Sequence, residues 1–177
     1  MDFALIFGPS GTGKSTLGKE CERHGWLHLE ADQFLATGQD GIDLLDLRAE
    51  WNAYWHRFDA VSLVDAVAAR AKAAGRTGAV LTLPSLILPS PKHHDAAGAL
   101  RLRFFILFGS AGQCLQAAIE RPEFRAKGLG AGHWHRHNDG LFHSITDPFL
   151  CPFLLPAWDA SGGRIPVLEL ARAIGCS

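Results

Sequence analysis

A chain of 177 residues that is 47% hydrophobic and 20% charged has the makeup of one globular domain, long enough to bury about 70% of the surface its unfolded form exposes. That balance excludes disordered, collagenous and coiled-coil architectures. Lys plus Arg number 17 against 18 Asp plus Glu, a net charge of −1, which argues against nucleic acid or an anionic membrane as the general partner and leaves only a local basic patch open.

The first element is Phe3-Ala4-Leu5-Ile6-Phe7. It is apolar throughout, as a central parallel strand covered on both faces requires. The run is too short for a signal h-region, lacks a basic n-region, and nothing later approaches 18 consecutive apolar residues; a cytoplasmic protein without a membrane span is expected. The four cysteines, Cys21, Cys114, Cys151 and Cys176, form no C-x-x-C pair, so reduced thiols are expected rather than a disulfide framework or zinc knuckle.

Directly after this strand stands Gly8-Pro9-Ser10-Gly11-Thr12-Gly13-Lys14-Ser15, followed by Thr16. It satisfies G-x-x-x-x-G-K-[ST] at each fixed position, between a strand and a helix predicted from Gly13 to about His24. The residue types follow from the task of gripping phosphate. Glycines let the backbone fold tightly without Cβ atoms in the way. Successive N–H groups then form an anion nest, and the helix N-terminus adds about half a positive charge. Lys14 can reach the β- and γ-phosphates, and the Ser15 hydroxyl can ligate Mg²⁺.

Trp26–Glu30 is a second strand, followed by Asp32. Residues 42–74 are predicted helical with a break near Asp59; Trp51 and Trp55, four apart, share a face, and Gly75 closes the segment. Ala79–Leu83 is a third strand, stopped by Pro84, and Leu102–Phe108 a fourth, stopped by Gly109. A helix from about Ser110 to Arg121 ends at Pro122. Residues 122–140 are rich in Gly, His, Arg and Trp with weak periodicity and are expected to form a mobile loop or lid, with a short helix at about 141–150. A weak fifth strand near 154–160 leads into the turn Asp159-Ala160-Ser161-Gly162-Gly163. Pro166 suits the first turn of a last helix to about Ile174. Strands alternating with helices imply parallel βαβ units in a three-layer α/β sandwich, and no repeat or linker divides the chain, so residues 1–177 form a single domain.

The loop in this setting resembles the P-loop small-molecule kinases, among them shikimate kinase, gluconate kinase and the adenylate-kinase-like enzymes. The likeness is specific at the loop and extends along the chain as an order of elements. It implies a five-stranded parallel sheet in the order 2-3-1-4-5, an acceptor-binding segment at about 33–75 and a lid at about 122–140. It implies an ATP- and Mg²⁺-dependent phosphotransferase that moves the γ-phosphoryl group to a small hydroxyl- or phosphate-bearing acceptor. Lys14, Asp32, Arg121 and Arg125 are then the catalytic candidates, Gly8 to Thr16 the nucleotide loop, and Ser15 with Asp32 the metal side.

Each candidate has a plainer role beside it. Asp32 either orients the acceptor or caps a following turn. Glu30, still within the strand, is expected to point elsewhere. Arg121 and Arg125 stand in a basic stretch: from 101 to 137 there are six basic residues and two acidic ones, Glu120 and Glu123. They either neutralise the migrating phosphoryl group or are solvated arginines. In an extended segment His133, His135 and His137 would share a face, but no Cys or carboxylate completes a metal set. Trp51, Tyr54 and Trp55, with Arg48 and Arg57, either cover an acceptor or, as favoured here, pack a helix on the sheet. Pro84-Ser85 stands where shikimate kinase has a glycine run, which counts against shikimate as acceptor. A polynucleotide 5′-kinase or end processor and a non-catalytic nucleotide sensor are the rival functions.

Overall fold

The computed structural model describes residues 1–31, 42–83, 87–98, 100–126 and 128–176. Five strands form the sheet: β1 (Asp2–Phe7), β2 (Trp26–Glu30), β3 (Gly78–Thr82), β4 (Leu102–Phe108) and β5 (Leu154–Pro156). Every pairing is parallel and the order is β2-β3-β1-β4-β5, as the resemblance implied. The helices are α1 (Lys14–Arg23), α2 (Ile42–Arg57), α3 (Ala60–Ala73), α4 (Pro91–Ala97), α5 (Ala111–Ile119), α6 (Pro122–Ala126), α7 (Ala131–Ser144) and α8 (Val167–Ala173), with a 3₁₀ turn at Cys151–Phe153.

The period of two along β1 divides the core. Phe3, Leu5 and Phe7 face one layer with Leu47, Tyr54, Leu63 and Val67, so α2 and α3 cover that side. Ala4 and Ile6 face the other, with Leu17, Cys21, Leu170 and Ile174 of the α1–α8 side. A strand covered on both faces has no polar side to show, which is why β1 is apolar throughout. At the break between α2 and α3, Phe58 adopts φ 60°, and Asp59 caps α3 by accepting from the Ser62 N–H at 3.1 Å.

Two stretches differ from the expectation. Residues 131–144 are the helix α7, not a loop, and they take in the start of the short helix expected at 141–150. The buried positions of α7 are Trp134, Asn138 and Leu141, spaced as a helical stripe. The polar Asn138 inside that stripe, with glycines and histidines around it, hid the period. The second is α4. Its first residue is Pro91, and the imidazole of His93 reaches back to accept from the Ser90 N–H at 3.1 Å. A histidine in place of the usual Glu or Gln at that position concealed the helix start. β5 is also shorter than expected, ending at Pro156.

His93 is buried at 7% exposure, stacks on Trp55 with ring centroids 4.1 Å apart and bonds the Trp55 carbonyl through Nε2 at 3.0 Å. Because Nδ1 accepts from Ser90, the proton is on Nε2 and the ring is neutral. Burial first, and His56 nearby, hold His93 below the usual imidazole value; burial does the same to His28. The unfolded chain therefore takes up protons near pH 6.5 that the folded state refuses. Stability is complete above that value and declines as pH falls through it toward the lowered folded values. Urea midpoints measured from about pH 7.5 down to about pH 5 will fall, and His93→Gln will flatten that slope.

Candidate active site

The loop between β1 and α1 is shaped by its glycines. Gly8 and Gly11 have φ of 130° and 101°, a region closed to residues with a side chain. Both are also hemmed in: a Cβ would lie 2.1 Å from the Leu107 carbonyl oxygen at Gly8 and 2.0 Å from that of Cys114 at Gly11. The backbone thus reaches α1 along a path that passes directly over β4 and α5.

The carbonyls along this path are all engaged. Lys14, 8% exposed, donates from Nζ to the carbonyls of Gly8 at 2.8 Å and Pro9 at 3.1 Å. The Thr12 hydroxyl also donates to Pro9 at 2.9 Å. Trp134 of α7 donates its indole N–H to the Ser10 carbonyl at 3.1 Å. Arg164, beyond β5, donates from Nη2 to the Gly11 carbonyl at 2.5 Å and from Nη1 to that of Thr12 at 2.8 Å. A trans peptide holds its N–H opposite its C=O. Tying down a carbonyl therefore turns the amide of the same peptide the other way, as an anion nest needs, although the Thr12 N–H folds back to the Pro9 carbonyl at 3.4 Å. Ser10 is gripped twice: its N–H donates to Asn138 Oδ1 at 2.9 Å, while Asn138 Nδ2 donates to the Trp134 carbonyl at 2.7 Å.

Ser15, at the start of α1, donates its hydroxyl to a carboxylate oxygen of Glu30 at the end of β2. This corrects the sequence expectation for Glu30: the strand does continue to it, yet the side chain turns toward the loop. A hydroxyl and a carboxylate are hard oxygen donors, the set that suits magnesium, so Ser15 and Glu30 together could hold such an ion. Asp32 lies outside the described residues, as does Pro84-Ser85. Thr16 is exposed.

Arg121 and Arg125 are both exposed. Burial, and after it Arg121, depresses the ionisation of Arg164. Arg125 donates from Nε to the Ile119 carbonyl at 3.0 Å, the C-terminal end of α5. The neighbouring thiol of Cys114 is pushed up to about 11 by burial, against the pull of Arg164 and Lys14, and is no nucleophile.

The histidines separate once the segment is helical. The rings of His133 and His137 lie against each other, tilted, with centroids 4.2 Å apart, whereas His135 lies on another face with Asp139 at 2.9 Å. Among the described residues no group of three or more His, Cys, Asp or Glu could hold a metal ion. Trp51 and Trp55 do share a face, stacked at 5.1 Å, and both pack on the core beneath α2, as favoured. Trp134, Asn138 and Arg164 escaped the sequence reading, because nothing local marks a residue that serves a loop more than 120 positions away.

The sequence matches no known family model and no curated protein. Solved structures do match. A gluconokinase from Sinorhizobium meliloti 1021 is 18% identical with TM-score 0.51, the match covering 98% of this chain and 89% of that one. An uncharacterized protein from Eubacterium ventriosum ATCC 27560 is 11% identical with TM-score 0.52, covering 98% and 95%. The parallel five-stranded sheet, its strand order and these likenesses define the fold as that of the P-loop small-molecule kinases. No described helix is long and apolar enough to cross a membrane.

The double grip on Ser10 makes a stability prediction. Asn138→Ala leaves the Ser10 N–H without its acceptor in a buried setting and will cost about 1–3 kcal/mol, read as a lower urea midpoint at unchanged slope.

Proposed function

We propose that this protein is an ATP-dependent phosphotransferase that moves the γ-phosphoryl group to a small hydroxyl- or phosphate-bearing acceptor. The observation that carries this reading is the loop itself: its carbonyls are tied back one by one, and a buried Lys14 sits at its centre. The fold it shares with a solved gluconokinase supports the same class of chemistry.

In this reading the amides of Gly11 to Thr16 bind the polyphosphate, with Lys14 opposing the charge that spreads over the transferring oxygens. Ser15 and Glu30 hold magnesium, which when bound neutralises phosphate charge and fixes the phosphates for in-line transfer. Asp32, two residues beyond Glu30, orients the acceptor and takes its proton late. Arg121 and Arg125, at the entry to the segment 122–140, cover the phosphoryl group and exclude water that would otherwise hydrolyse it. Residues 33–75 form the acceptor side. The near-neutral net charge of −1 favours a small molecule over a nucleic-acid strand, whose binding needs a basic channel.

The test is a screen for ATP consumption against sugar acids, nucleosides, nucleotides and short oligonucleotides. One small-molecule class will be phosphorylated, and Lys14→Ala will lower kcat/KM by at least about 100-fold. Undiminished turnover in that variant, or transfer to oligonucleotides alone, refutes the assignment. Glu30→Gln keeps the shape of the side chain but removes its charge. It will raise the magnesium concentration for half-maximal rate by about 10- to 100-fold, with ATP affinity at saturating magnesium little changed; an unaltered magnesium titration removes Glu30 from the metal side.

A further inference from the structure

Arg164 belongs to neither the sequence motif nor the proposed catalytic set, yet it makes the closest contacts any distant side chain makes with the loop's backbone. The planar guanidinium spans two consecutive carbonyls, Gly11 at 2.5 Å and Thr12 at 2.8 Å. A lysine presents a point charge and cannot match that fork. The two peptide units concerned carry the N–H groups of Thr12 and Gly13; the first donates to the Pro9 carbonyl at 3.4 Å, so the fork fixes that turn and, through the second peptide, the direction of the Gly13 N–H. Hydrogen bonds from a cation to a carbonyl also polarise the amide at the far end of the same peptide, making it a better donor.

The fork is aimed before any ligand arrives. The guanidinium lies over the Trp158 ring at 4.0 Å, and Trp158 in turn packs against Gly109, where a Cβ would fall 2.2 Å from the indole. Between these two residues the chain makes a tight turn. Asp159 accepts from the N–H groups of Ser161 at 2.8 Å and Gly163 at 2.9 Å, and Trp158 and Arg164 are joined by an antiparallel bridge. Among the described residues no carboxylate forms an ion pair with Arg164. Its positive charge is held beside the loop by carbonyl dipoles and an aromatic face, with Glu120 acting on it only through space, and a polyanion in the loop would gain from it.

We propose that Arg164 is a positioning residue for the polyphosphate, acting through the loop's backbone: it holds the Gly11 and Thr12 carbonyls outward and so fixes the turn at Thr12 and aims the Gly13 N–H. This deepens the phosphotransferase reading and rests on the loop binding a nucleotide. The test compares the dissociation constants of ATP, tripolyphosphate and adenosine for the wild type, Arg164→Met and Arg164→Lys, with magnesium fixed. Arg164→Met is expected to weaken ATP and tripolyphosphate by about tenfold or more and to leave adenosine within about twofold. Arg164→Lys is expected to fall between the two, since it restores charge without the fork. Equal ATP and tripolyphosphate affinities in wild type and Arg164→Met overturn the proposal. So does an adenosine loss as large as the ATP loss, which would make the residue a prop for the base side or the fold. If Arg164→Met does not fold, Arg164→Lys against wild type decides on the same probes: weaker polyphosphate binding with adenosine unchanged supports the proposal, and identical constants overturn it. A wild-type protein that binds none of the three probes overturns the nucleotide reading, and this proposal with it.

Discussion

A backbone loop that folds tightly on glycines has to satisfy the polar groups of its own peptides. The carbonyls it turns away must still find donors, since unpaired backbone groups cost too much to bury. Here the donors come from Lys14 and Thr12 within the loop, from Trp134 on α7 and from Arg164 beyond β5. Two of the four are more than 120 residues from the carbonyls they serve. The loop is therefore not a preformed local motif that the domain merely carries. Its shape holds only when α7 and the turn after β5 are docked.

That dependence joins the parts of the proposed site. The same Arg164 that holds Gly11 and Thr12 stacks on Trp158 of the turn after β5 and stands near Arg121. The same α7 that overlaps the segment 122–140 grips both the backbone N–H and the carbonyl of Ser10. Both elements are tied to the loop by hydrogen bonds to its backbone. At the other end of the loop, Ser15 is linked to the edge of the sheet through Glu30. The site is thus braced against α7, the final turn and β2, with β1 beneath it.

The opposite layer is built differently. α2 places Trp51, Tyr54 and Trp55 on the Phe7 face of the sheet, and His93 closes the cluster as a neutral, buried ring bridging Ser90 and Trp55. These aromatics are packing residues of the core layer. The Tyr54 hydroxyl even donates back to the His93 carbonyl at 3.1 Å, fixing α2 to α4.

Much of the architecture could be deduced from residue order alone. An unbroken apolar run followed by a glycine-rich turn and Lys14-Ser15 reads as a buried strand feeding a tight turn into a helix, because both the burial and the φ > 0 positions are local requirements of those residue types. The break at Asp59, the strands at 26–30 and 102–108, and the shared face of Trp51 and Trp55 were likewise local. The helix α7 was not, since its stripe contains Asn138, whose partner is a backbone amide in the loop. Nor were the turn of Glu30 toward Ser15 or the role of Arg164. A side chain that bonds a distant backbone carries no periodicity and no spacing; only the folding of the sheet in the order β2-β3-β1-β4-β5 brings position 164 to positions 11 and 12.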